Sequence, residues 1–386
     1  MDFKFSDDQE MIRHTAKRFS EEEILPVSRD LENPENREIF FDILRKLAEL
    51  GFMGMNVSEK FGGSNAGVIA FSLAVTEVAR SCASVAVAMS VNNLVAEVLQ
   101  LVGNSQHKEK HIPSLCAGKY LSGAFCLSEA EAGSDPSSME THAEKNDSAW
   151  IINGEKMWIS NADCAGVFVV WAKTQKNAPK GQGISCFLVE KDNLGVQVGK
   201  SEKKMGQIAS STNTVYFNNC MVKNDALLGQ ENKGYSIAMK ELVGGRIGIA
   251  SLALGIGQAA LEYATKYITE RKQFGEPIAN FQGPQFYIAE RFTEMEAAKL
   301  LTLKAAWEKE NSIDYTKSAS MAKFYATEWA NRACYTALQL MGGIGYTEDS
   351  PIEKMSRDAR VTTIYEGTSE IQKIIIAKEI IKSLNY

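Results

Sequence analysis

No two cysteines in this sequence are spaced C-x-x-C, and the seven present, at 82, 116, 126, 164, 186, 220 and 334, are scattered and odd in number. That excludes a disulfide framework and a zinc ribbon, and leaves them as small buried thiols. There is no uninterrupted apolar run of 18 or more residues of the kind that spans a bilayer, so a soluble chain without a membrane span is expected. The opening M-D-F-K-F-S-D-D-Q-E is acidic and lacks an apolar h-region, so neither a secretory nor an Arg-rich transit signal is expected, and a cytoplasmic location is the default. Basic charge is not in excess: the formal net charge is −6, which supplies no field for nucleic acid. Internal repeats and low-complexity linkers are absent too.

What is there is a globular composition, 45% hydrophobic and 23% charged, over 386 residues, long enough for two or three domains. Residues 1–120 read as helices: Ser6-x-x-Gln9 forms a capping signal, and I-F-F-D-I-L-R-K-L-A-E-L keeps helical spacing up to Gly51. Residues 121–228 turn to short β-rich runs such as A-W-I-I-N-G-E-K-M-W-I-S and G-V-F-V-V-W-A-K, divided by Asn, Gly, Asp and Pro, which suits an antiparallel sheet or barrel without crossover helices. Residues 229–386 return to helical periodicity in four long runs, 235–242, 249–268, 285–301 and 321–341, joined by short loops as in a bundle. The expected class is α+β: an all-α domain, a middle antiparallel β domain, and a C-terminal four-helix bundle.

Two tempting signals carry no chemistry. Gly255-Ile256-Gly257-Gln258-Ala259-Ala260 matches a dinucleotide fingerprint, yet it lies inside a helical run with no strand before it, so close helix packing is expected instead. His107 and His111 stand one turn apart, but the glutamate between them is at i+2 and lysines flank it; a solvated helix end is expected rather than a metal site.

The stretch T-I-Y-E-G-T-S-E-I, 363–371, admits two interpretations. Thr363-x-x-Glu366 fits a capping box, whereas a break at Gly367 would leave Glu366 on a turn, free to face a cavity. The rest of the chain bears on the choice. F-C-L-S-E-A-E-A-G-S-D (125–135), K-M-W-I-S-N (156–161), R-K-Q-F-G-E-P-I (271–278), Q-L-M-G-G-I-G-Y (339–346) and R-D-A-R-V-T-T-I-Y-E-G-T-S-E-I (357–371) occur in that order. In these five motifs, which span nearly the whole chain, the sequence resembles the acyl-CoA dehydrogenase family, short-chain or butyryl-CoA type, whose plan is also α, β, α-bundle.

The resemblance implies FAD and an acyl-CoA substrate, with oxidation of the Cα–Cβ bond between a base on one face and the flavin on the other. A carboxylate buried against apolar groups is raised toward neutrality, which suits it to take the α-proton. Glu366 matches the family's base. Other members place the base in the helix that here reads V-G-G-R-I-G, where this chain has Gly244 and Gly245. By the same resemblance Phe125, Leu127, Ser128, Gly133 and Ser134 border the isoalloxazine, Ser134 nearer the CoA arm. Trp158, Ile159 and Ser160 pack on the ring and bond near N5. Arg271, Phe274, Gln282, Gln339, Gly342 and Gly343 hold the adenosine and pyrophosphate from a neighbouring subunit. Thr368, Ser369 and Glu370 open the last helix, with Thr368 as N-cap and the helix amides toward FAD phosphate. Arg246 and Gly367 face the substrate. A cofactor site shared between chains implies at least a dimer, usually a homotetramer, and the electron partner is an electron-transferring flavoprotein.

The sequence departs from the family at several places. Val243 replaces an aspartate that contacts the CoA arm, Ile208 replaces an arginine, and F-N-N (217–219) replaces F-E-D. The segment V-N-N-L-V-A-E-V-L-Q-L-V-G (91–103), which helps wall the acyl pocket in relatives, is one residue shorter and carries Glu97. A solvated or structural Glu97 is the ordinary expectation; one that faces the pocket would imply a cyclic, branched or polar acyl group. Rival functions are the reverse half-reaction, enoyl-CoA reduction; an oxidase or nitroalkane-type flavoenzyme; and a non-catalytic DNA-binding flavoprotein.

Overall fold

The computed structural model describes residues 4–384. The first three residues of the acidic opening lie outside the described residues. Helix α1 (Asp7–Phe19) starts on the expected capping box: Ser6 Oγ accepts from the Gln9 amide at 3.2 Å and Gln9 Oε1 from the Ser6 amide at 3.0 Å. Helices α2 (Arg37–Glu49), α3 (Val68–Ser81), α4 (Ala83–Val102) and α5 (Ser105–Cys116) complete the N-terminal part. The α5 histidines differ from expectation. His107 and His111 are buried, not solvated, and burial lowers the pKa of both; His111 stacks on Tyr120. Among the described residues no group of His, Cys, Asp and Glu could hold a metal ion.

The middle part comprises β1 (Ser122–Cys126), β2 (His142–Lys145), β3 (Ala149–Ser160), β4 (Ala165–Lys173), β5 (Ile184–Glu190), β6 (Val196–Ser201), β7 (Thr212–Lys223) and β8 (Leu227–Leu228). Their order is β6-β7-β3-β2-β4-β5-β8, with β1 also on β4. The sheet is not wholly antiparallel: β1 pairs β4 in parallel, Phe125 opposite Val169, and β2 touches β4 in parallel at His142 and Lys173. Parallel neighbours need a long connection, which the loop, β2 and β3 between β1 and β4 supply without an α-helix. Strand β4 is buried on both faces. Val167, Val169 and Trp171 pack toward α4 and α5, while Phe168, Val170 and Ala172 pack on Trp150, Ile152 and Phe217.

After Gly229 come α6 (Gly234–Glu270), α7 (Gln282–Glu310), α8 (Thr316–Met341), α9 (Pro351–Arg360) and α10 (Ser369–Leu384). The runs 235–242 and 249–268 are one continuous helix, because V-G-G-R-I-G packs on neighbours instead of turning. The fourth long helix of the bundle is therefore α10. At Gly255 the Cβ of any other residue would lie 2.2 Å from the Thr76 carbonyl oxygen, so the G-I-G-Q-A-A stretch is a helix crossing, as expected. Helices α4 and α6 are long and apolar enough to cross a membrane by length and composition, and 78% of that apolar window in each is buried inside the fold.

Ionic clasps join the parts. Arg37 bonds Asp163 at 2.7 and 2.9 Å, and Arg357 bonds Glu32 at 2.9 Å and Glu353 at 2.7 Å. Asp358 accepts from Lys354 at 2.6 Å and from the Gln207 amide, so the 205–211 loop is fastened under the segment that leads to Glu366.

Candidate active site

Helix α9 runs into a short 3-10 turn, Val361–Thr363, and the chain then reverses. Thr363 Oγ1 donates to the Arg360 carbonyl and accepts from its guanidinium, so it caps nothing around Glu366. Glu366 and Gly367 are both left-handed, φ 54° and 87°. For a glutamate that conformation is strained and persists only if the surroundings enforce it. They do: the Gly367 carbonyl accepts from Lys323 Nζ at 2.8 Å and Gln372 Nε2 at 2.9 Å, and Tyr365 OH accepts from Gln207 Nε2 at 3.2 Å. Thr368 is the N-cap of α10, its Oγ1 accepting from the Ile371 amide at 3.3 Å.

This turn aims Glu366 inward. Its Oε2 is buried without a hydrogen-bond partner among the described residues, and burial raises its pKa to about 7, against the opposing pull of Arg246 and Lys323. Its carboxylate stands over Gly245 of α6, where a Cβ would come within 2.9 Å of Oε2. Gly245 also lines a small cavity with Val68, Phe71, Ser90, Leu94, Glu97, Gly244 and Lys309. A raised, unpartnered carboxylate beside an apolar cavity can take a proton from a carbon acid.

Arg246 lies in the interior beside Glu366, 5% exposed, with Nη1 bonded to Ser320 and Nε unpartnered. Lys323 was not singled out in the sequence. It is fully buried, and burial lowers its pKa to about 7. Its signal was a lysine within the stripe Ala319, Ala322, Ala326 and Ala330 that faces the core. Lys156 and Glu129 were also missed. They form a buried pair at 2.7 Å, with Lys156 donating to the Leu127 carbonyl at 3.0 Å and Glu129 accepting from the Thr141 amide at 3.1 Å.

That pair braces the remaining predicted residues. The Met157 amide donates to the Ser128 carbonyl at 2.9 Å, which joins the 125–128 and 156–160 segments. Phe125 and Ser128 are half-buried, Leu127 and Ile159 are buried, Ser160 is half-buried, and Gly133 and Ser134 are exposed. Trp158 is 55% exposed at φ 66°, a large aromatic held out from the sheet. Arg271, Phe274, Gln282, Gln339, Gly342 and Gly343 are all exposed, Phe274 at 96%. They are not gathered around Glu366: at the rise of an α-helix, Arg271 is roughly 39 Å along α6 from Gly245. Ser369 and Glu370 sit at the start of α10, Ser369 donating to Glu328 at 2.6 Å.

Family models for the acyl-CoA dehydrogenase N-terminal, middle and C-terminal domains match residues 6–119, 124–220 and 232–381. The chain belongs to the acyl-CoA dehydrogenase family. It is 42% identical over 378 residues to the rat mitochondrial short/branched chain specific acyl-CoA dehydrogenase, covering 97% of this chain and 86% of that one. It is 40% identical over 387 residues to the acryloyl-CoA reductase (NADH) of Anaerotignum propionicum, covering 99% and 96%. Among solved structures, butyryl-CoA dehydrogenase from Megasphaera elsdenii superposes with a TM-score of 0.93 at 37% identity, covering 99% of this chain and all of that one. A chain from the structure of the electron transferring flavoprotein of Acidaminococcus fermentans gives 0.94 at 36%, covering 99% and 100%. A Bacillus anthracis acyl-CoA dehydrogenase complexed with FAD gives 0.92 at 30%, covering 98% and 68%.

Acyl-CoA dehydrogenases are FAD-dependent oxidoreductases, and this chain fits the cofactor. Trp158 presents a free aromatic face, Glu366 an unpartnered carboxylate, and nothing lies within 4 Å of a Cβ position on Gly342 or Gly343, which leaves their backbone open to a phosphate.

Proposed function

We propose that the protein dehydrogenates an acyl-CoA thioester to the 2-enoyl-CoA with Glu366 as the base. The observation that carries this is the Glu366 carboxylate, its Oε2 buried without a hydrogen-bond partner, its pKa raised to about 7, and its side chain set over Gly245, which itself lines the neighbouring cavity. Glu366 removes the α-proton, the β-hydrogen departs with its electron pair, and the Cα–Cβ double bond forms. Bound FAD supplies the hydride acceptor. In this reading the Glu366 backbone N–H donates to the thioester oxygen as negative charge grows there. Lys323 and Gln372 hold the Gly367 carbonyl and so the turn that aims the base.

In this reading the 125–128 and 158–160 segments border the flavin, Ser134 lies toward the CoA arm, and Arg271, Phe274, Gln282, Gln339, Gly342 and Gly343 serve the FAD of a neighbouring chain. The exposed aromatics Phe274, Tyr335 and Tyr346 support burial in a homotetramer, which analytical ultracentrifugation checks. The two electrons leave to an electron-transferring flavoprotein; the likeness to a chain from such a flavoprotein's structure supports this. A cytoplasmic location completes the proposal, and cell fractionation tests it.

The relative named acryloyl-CoA reductase favours a second reading, the same chemistry run toward the saturated thioester. The site serves both, since Glu366 can return the α-proton it takes. The deciding experiment is Glu366→Gln: FAD should stay bound and bleaching of its visible absorbance by acyl-CoA should vanish. Undiminished bleaching in that variant removes Glu366 from the role, and titration with both acyl- and enoyl-CoA reads the direction.

A further inference from the structure

The wall of the acyl cavity is not purely apolar. Glu97 of α4 faces it, and its two oxygens are both occupied: Oε1 accepts from Asn56 Nδ2 at 2.8 Å and Oε2 from Lys309 Nζ of α7 at 2.6 Å. Lys309 stands over Gly244, where a Cβ would lie 2.8 Å from Nζ, just as Glu366 stands over Gly245. The ammonium and the base thus stand over successive glycines of α6, both of which line the cavity that Lys309 enters. An ammonium has three N–H groups. Among the described residues Lys309 spends one, on Glu97, and makes no second hydrogen bond.

Apart from the Ser90 hydroxyl and the two glycines, the remaining wall, Val68, Phe71 and Leu94, is apolar and close. A plain alkyl chain whose α-carbon faced Glu366 would press its far end against an ammonium and leave its spare donors unfilled, an unfavourable burial. A chain ending in a carboxylate would meet Glu97, which already matches the Lys309 charge. It would also meet the field of Glu241, a buried carboxylate on the same helix, raised to about 7 by desolvation and by Glu97. A chain ending in an ammonium would meet Lys309 itself. An uncharged oxygen avoids both repulsions and accepts the free donors.

We propose that this pocket selects a short acyl group with an uncharged oxygen, hydroxyl or keto, beyond its β-carbon, and that Lys309, held in place by Glu97, donates the hydrogen bond that selects it. The inference rests on the dehydrogenase reading and narrows its substrate class. Glu97 and Lys309 are specificity determinants here, with no part in proton or hydride transfer.

The test uses the FAD-loaded protein under anaerobic conditions with butyryl-, 4-hydroxybutyryl-, 4-oxopentanoyl-, glutaryl- and 4-aminobutyryl-CoA. Two readouts are taken: kcat/KM from flavin bleaching by the wild type, and Kd by calorimetry for the same thioesters on Glu366→Gln, which should bind them without oxidising them. The hydroxy and keto thioesters should surpass butyryl-CoA about tenfold or more in both, the scale of a hydrogen bond to a charged donor. In Glu97→Leu/Lys309→Met, which removes both charges together and is tolerable in a packed interior, that ratio should invert. Lys309→Gln, a milder change, should shrink the ratio if the double variant does not fold. Equal or better binding of butyryl-CoA, a preference for glutaryl- or 4-aminobutyryl-CoA, or an unchanged ratio in the folded variants would each overturn the proposal. If butyryl-CoA bleaches the flavin and discrimination is absent, only the pocket inference fails. If no thioester bleaches it, the dehydrogenase reading fails and takes this inference with it.

Discussion

A side chain on Gly245 and the carboxylate of Glu366 compete for one space: a Cβ at 245 would lie 2.9 Å from Glu366 Oε2 and 3.3 Å from its Cδ. The α6 location that resembles the alternative base position of the family therefore points at the same spot as Glu366. One carboxylate fills it, and in this chain a glycine makes the room.

Gly245→Ala should displace the carboxylate without unfolding α6, since alanine favours helix over glycine. A shift on the order of 1 Å at a base costs roughly 100-fold in rate. Stopped-flow flavin reduction should show that loss with FAD content unchanged; wild-type rates in this variant would show that Glu366 is not held by the glycine.

The pH dependence follows from the Glu366 pKa, raised to about 7 chiefly by burial. In the proposed role Glu366 works ionised, so the flavin-reduction rate should rise through about pH 7 and level above it. Stability should move the opposite way. The folded state holds the proton more tightly than the unfolded chain does, so stability is lost as pH rises from the ordinary carboxylate range through about 7. Glu366→Gln should therefore raise Tm more at pH 8 than at pH 5, as read by calorimetry on the substrate-free enzyme.

Lys323→Met tests whether that lysine positions and tunes the base. It removes a bond to the Gly367 carbonyl and a cation that holds the Glu366 pKa down. The limb of the rate profile should shift to higher pH and kcat should fall more than KM changes. A loss of stability with an unmoved limb would assign Lys323 a structural role alone.

Lys156→Met strands the Glu129 carboxylate in the interior beneath the flavin-side segments. Removing one partner of a buried pair costs about 3–5 kcal/mol. Denaturant unfolding should show a loss of that order, and Lys156→Met/Glu129→Gln should recover part of it. Equal stability of the single variant and wild type would mean that Glu129 is protonated or solvated there.

Much of the fold was legible in local pattern. The Ser6-x-x-Gln9 cap, the helical, β and helical succession, and the Thr368 start of the last helix all follow from spacing and side-chain chemistry within a turn or two. The misjudged features depend on neighbours far away in the chain. His107 and His111 look solvated beside two lysines, yet the packing of β5 and Tyr120 buries them. The runs 235–242 and 249–268 count as two in the periodicity, yet the glycine-rich stretch between them stays helical against Ser90 of α4 and the 366 turn.

The sequence by itself determined which residues could do chemistry: a glutamate at a helix break, a tryptophan in a β segment, glycines in the bundle, and an anomalous Glu97. Spacing records periodicity and caps, which are interactions between near neighbours. Only the tertiary structure decided that Glu366 faces Gly245 without a partner, that Arg246 and Lys323 are buried beside it, and that Glu97 meets Lys309 on the same cavity. The reason is physical: desolvation, Coulomb coupling and steric room depend on distance in space, and those distances are set by how α4, α6, α7, α8 and the turn before α10 pack.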